Sequence, residues 1–238
     1  MKLKKIASLA LAGIMAVSML TACDTTSNNQ PNVPNQPEEP TTPATGYSAT
    51  FEKRLNAKGQ ANIDMSDSDD LNVALQTAMD FASDAIIAGR YDDELAKGKV
   101  QFVAWNSGTA IGQVAIELIN KADSDKESFE HGNEYDTVKL LNPYLKGDVI
   151  AYDKDNADIV MLYVVTGVGT DAAVKEVADK LNDDIDELVR VYNSKGAGET
   201  GETLYNYTGS VSADTITLDA DHGKSMTFVA VEIVRELV

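Results

Sequence analysis

Ile159-Val160-Met161-Leu162-Tyr163-Val164-Val165 runs through Thr166 into Gly167-Val168-Gly169-Thr170, and this stretch sets the fold class. Seven consecutive apolar residues are of strand length and apolar on both faces, which predicts a strand in the interior of a sheet. The glycines then turn the chain into a helix. Val174, Val177, Leu181, Ile185, Leu188 and Tyr192 share one face of it, and Glu176, Lys180, Asp183, Asp184 and Glu187 the other. Upstream, residues 149–152 form a shorter apolar run, and Asp153-Lys154-Asp155-Asn156 between the two runs predicts an antiparallel hairpin. A strand paired antiparallel with its predecessor points away from parallel βαβ winding and toward an α+β fold.

The elements on either side fit that frame. Phe51 and Leu55, then Ile63 and Met65, flank Asn56-Ala57-Lys58-Gly59 and predict a hairpin. Leu71, Ala74, Leu75, Ala78, Phe81, Ala82, Ala85 and Ile86 recur at helical spacing, with Ser66 and Asp69 placed as a capping box. Residues 100–105 read as a short strand that turns at Asn106-Ser107-Gly108-Thr109 into a helix carrying Ile111, Val114, Ala115, Leu118, Ile119 and Ala122. A polar stretch, 123–132, leads to a helical segment stopping near Asn142-Pro143. Beyond the loop at 196–201, three runs rich in Thr, Tyr and Val (203–209, 213–218 and 226–235) predict an antiparallel meander. The expectation is a single α+β domain over residues 47–238, with a mixed, largely antiparallel sheet packed with three to four helices. Hairpin-helix and strand-glycine-helix units each occur twice, a weak echo of internal duplication.

The chain before this domain has a different character. Residues 1–22 combine Lys2, Lys4 and Lys5 with an apolar run at 6–20 and small residues, the layout of a secretory signal. Leu20-Thr21-Ala22-Cys23 closes it with the only cysteine of the chain. These four residues resemble the lipobox of bacterial lipoprotein precursors. The resemblance covers residues 1–23 alone. It implies cleavage between Ala22 and Cys23, a diacylglyceryl group on the Cys23 thiol, and a place on the outer face of the cytoplasmic membrane with the bilayer as partner. Two acyl chains on one residue suffice for stable anchoring. Residues 24–46 hold five of the six prolines (Pro31, Pro34, Pro37, Pro40 and Pro43) and one large apolar residue, Val33. Such a stretch is expected to be a disordered Pro/Thr/Asn-rich stalk that holds the domain up to roughly 70 Å from the lipid.

Composition narrows the function classes. The formal charge of −18 argues against a nucleic-acid or anionic-lipid surface. Removal of residues 1–22 makes the chain more negative still, because three lysines and no acid are lost. With no cysteine beyond Cys23, disulfides and thiolate metal sites are excluded from the domain. Gly167-x-Gly169-x-x-Ala172 satisfies the dinucleotide-binding glycine pattern in form, but no acid ends a following strand, and a tight strand-to-helix turn is the better reading. Gly223-Lys224-Ser225 lacks the first glycine of a phosphate loop, Leu218 standing in its place.

Three acid clusters supply hard oxygen ligands of the kind Ca²⁺ takes: Asp64, Asp67, Asp69 and Asp70; Asp153, Asp155 and Asp158; Asp219 and Asp221. None completes a calcium loop, and all stand where caps and turns want aspartate, so no cofactor or metal is assigned. His131 and His222 are the only histidines. Ser107 and Ser225 lack a nucleophile elbow around them. One ligand site is a candidate: Trp105, the only tryptophan, with Asn106, Ser107 and Thr109 at a helix start. The structural alternative there is a core indole and a capping hydroxyl. A non-enzymatic envelope module for a small molecule, glycan or protein is the leading expectation; a hydrolase with a carboxylate pair acting on a wall or nutrient polymer is the second.

Overall fold

The computed structural model describes residues 44–89, 99–103, 109–122, 157–196, 199–219 and 224–238. In chain order they form α1 (Gly46–Glu52), α2 (Ala57–Asn62), β1 (Asp64–Met65), α3 (Asp69–Gly89), β2 (Gln101–Phe102), α4 (Ala110–Ala122), β3 (Ala157–Thr166), α5 (Thr170–Asp186), β4 (Val191–Gly196), β5 (Glu199–Asp219) and β6 (Lys224–Leu237). The strands make one six-stranded sheet of order β1-β5-β6-β3-β2, with β4 also paired to β5. Only the short β1–β5 contact is parallel. The fold is α+β, with five helices among the described residues. None of those helices is long and apolar enough to cross a membrane.

Helices cover both faces of the sheet, which is why β3 is apolar on both sides. Ile159, Met161, Tyr163 and Val165 share a buried cluster with Val229, Val231 and Ile233 of β6, Val174, Val177 and Leu181 of α5, and Phe51 of α1. Val160, Leu162 and Val164 point the other way. They join Phe228 and Ala230 of β6, Leu71, Leu75 and Ile86 of α3, and Val114 and Leu118 of α4. Residues 159–165 of β3 are thus each committed to one of two cores by the period-two alternation of the strand.

The region predicted as a hairpin around residue 56 is helical. Asn56 is not a turn residue but the N-cap of α2, its side chain accepting from the N–H groups of Lys58 and Gly59. Gly59 lies close to α5: a Cβ there would stand 3.3 Å from Asp186 Oδ1 and from Leu55 Cβ. Asp64 and Met65 then pair with β5 as a parallel edge strand. The capping box on Ser66 is also displaced. Ser66 donates its N–H to Gly209 O (2.8 Å) and so still belongs to the sheet edge. Ser68 caps α3 instead, its hydroxyl accepting from Leu71 N at 3.1 Å.

Two further boundaries move. Runs 203–209 and 213–218 are one strand, β5, paired with β6 from Tyr205 to Asp219. The meander is therefore β4, β5 and β6. Helix α5 ends at Asp186, with Glu187 and Leu188 N–H groups bonding back three residues. Beyond it β5 captures the chain: Tyr207 donates its hydroxyl to Val189 O and Tyr205 its N–H to Arg190 O. Tyr192 accordingly lies in β4, not on the helix. The predicted strand at 149–152 and the helical segment stopping near residue 142 lie outside the described residues.

Candidate functional site

Register joins residues that the sequence keeps far apart. On the sheet face covered by α3 and α4, Val160 stands opposite Glu232 and Glu232 opposite Ser210. One row toward the helices, Leu162, Ala230 and Ser212 align; one row the other way, Asp158, Val234 and Thr208 align. The face therefore changes from apolar beneath the helices to polar at its end. Asp158, Ser210 and Ser212 are each at least nine-tenths buried, and Glu232 is partly exposed. Ser210 donates its hydroxyl to Glu232 Oε2 at 2.9 Å. Asp158 and Glu232 are diagonal neighbours on adjacent strands, roughly 7 Å apart at that kind of position. Two carboxylates and two hydroxyls thus lie on one face of the sheet, and of the four side chains only Glu232 reaches the surface in part.

The opposite face has its own buried polar group at the same end of the sheet. The Arg235 guanidinium lies 4.8 Å from the Tyr205 ring centroid, a cation–π arrangement between adjacent strands. Burial pushes the Tyr207 phenol up to about 12, against a smaller lowering by Arg235. Its hydroxyl is spent on Val189 O at 2.9 Å. This cluster fastens β5 and β6 to the chain leaving α5, a structural role.

The residues singled out in sequence distribute differently. Cys23, Ala22, Trp105, Asn106 and Ser107 lie outside the described residues, as do His131, His222, Asp153, Asp155 and Asp221. Thr109 is described and exposed. Its hydroxyl accepts from Gly112 N at 3.0 Å and its carbonyl from Gln113 N at 3.0 Å, so it caps α4. Asp67 accepts from Thr45 through the N–H, at 2.8 Å, and through the hydroxyl. Asp69 and Asp70 occupy the first turn of α3, where carboxylates complement the helix dipole. Among the described residues, no three His, Cys, Asp or Glu side chains stand together as a metal site requires.

The glycine turn after β3 has a structural explanation. Gly167 takes φ +69°, donates its N–H to Ser225 O at 2.9 Å, and precedes Gly169, the N-cap of α5. Thr227 binds Val168 O through its hydroxyl, and β3 is antiparallel to both neighbours. That pairing is not the parallel βαβ setting of a dinucleotide fold. Ser225 lies in β6.

Sequence reasoning missed Ser210, Ser212 and Glu232 because no local motif links them. Asp158 stood out only as part of an acid run. The available signal was a polar residue at an inward strand position, and reading it required the register. No protein-family model, no curated protein and no solved structure matches this chain.

Proposed function

We propose that the chain is a lipid-anchored envelope protein, held on the outer face of the cytoplasmic membrane by diacylglyceryl-Cys23, whose α+β domain binds a hydroxyl-bearing ligand such as a glycan. The observation that carries the binding reading is the polar end of the sheet face: Asp158, Ser210 and Ser212 buried beside a partly exposed Glu232. Carboxylates with hydroxyls on one sheet face are the chemical complement of sugar hydroxyls. The anchor rests on the lipobox-like Leu20-Thr21-Ala22-Cys23 and the proline-spaced stalk after it.

A thermal-shift screen of the mature protein against soluble wall and nutrient glycans tests the binding reading. A stabilising glycan is expected, with the shift reduced in Glu232→Gln and Ser212→Ala. No shift with any glycan, or one unchanged in both variants, defeats it. The diagonal Asp158–Glu232 pair favours a second reading, a glycoside hydrolase. In that case incubation with a bound glycan releases reducing ends, and Asp158→Asn abolishes release while binding persists.

A further inference from the structure

We draw no further inference here: the strongest candidate, the exposed aliphatic side chains Val191, Leu204 and Val238 where β4, β5 and β6 meet at the end of the sheet, is an unpartnered apolar face, and nothing in the structure shows what covers it.

Discussion

Tyr207 and Gly209, two positions apart on β5, illustrate how closely a covered sheet constrains single residues. The Tyr207 phenol ionises near pH 10.0 in its ordinary state and at about 12 in the fold. Below pH 10 it is neutral in folded and unfolded chains alike, so its contribution is fully present. As pH rises from about 10 to about 12 the unfolded chain loses the proton first, and stability falls across that window. Alkaline unfolding of Tyr207→Phe is expected to lack this part of the slope. Near neutrality the same variant costs about 1 kcal/mol for the lost bond to Val189 O. Gly209 presses on β1 and its lead-in: a Cβ there would stand 2.7 Å from Met65 Sδ and 2.8 Å from Ile63 Cδ1. Gly209→Ala should therefore destabilise by about 1–3 kcal/mol in urea titration, toward the low end because the methionine can yield. An unchanged midpoint would mean that β1 is free to shift.

At the scale of elements, α1 is tied to the sheet by one buried bond. Ser48, fully buried, accepts from Val211 N at 3.0 Å. Ser48→Ala leaves that N–H without its acceptor, and a loss of about 1–3 kcal/mol is expected by denaturant unfolding. Ser48→Thr retains the acceptor; a full loss there as well would point to packing as the cause. Arg54 adds a forked pair with Asp179 at 2.7 and 2.6 Å, bridging α1's exit to α5 on the surface. These links explain which elements were legible in sequence. The cores of α4 and α5 and the two-faced β3 declare themselves by period, and so does that of α3 except at Phe81 and Ala85, which share the helical spacing but are exposed. The errors fall where a glycine answers to a distant neighbour. Gly59 looked like a turn residue and sits against α5; the run predicted to stop at Gly209 continues through it as β5, and Gly209 sits against Met65. Asn56 likewise serves as a cap where turn chemistry uses the same residue types. The candidate site was illegible for a related reason, since Ser210 and Glu232 meet only across 22 residues of chain.

At the scale of the whole molecule, the proposed anchor and the domain make separable predictions. Cys23→Ser should remove the lipid, shifting the protein from the membrane fraction to the medium or leaving an unprocessed precursor. Mass spectrometry of the mature N-terminus reads the outcome, and an exported chain with an unmodified Cys23 would overturn the anchor. The Cys23→Ser domain should keep the unfolding midpoint of the parent, since the fold is built from residues far along the chain. The order of the sheet carries a consequence for synthesis. β6, the last strand in chain order, lies between β5 and β3, with Ala157 paired to Arg235 and Tyr205 to Leu237. A chain emerging N-terminus first holds β3 and β5 without their shared neighbour until residues 224–237 arrive, so the central hydrogen-bond ladder cannot close early. Such sequence-distant pairing slows folding. Under the proposed export of the chain, that delay would keep it translocation-competent until residues 224–237 are delivered.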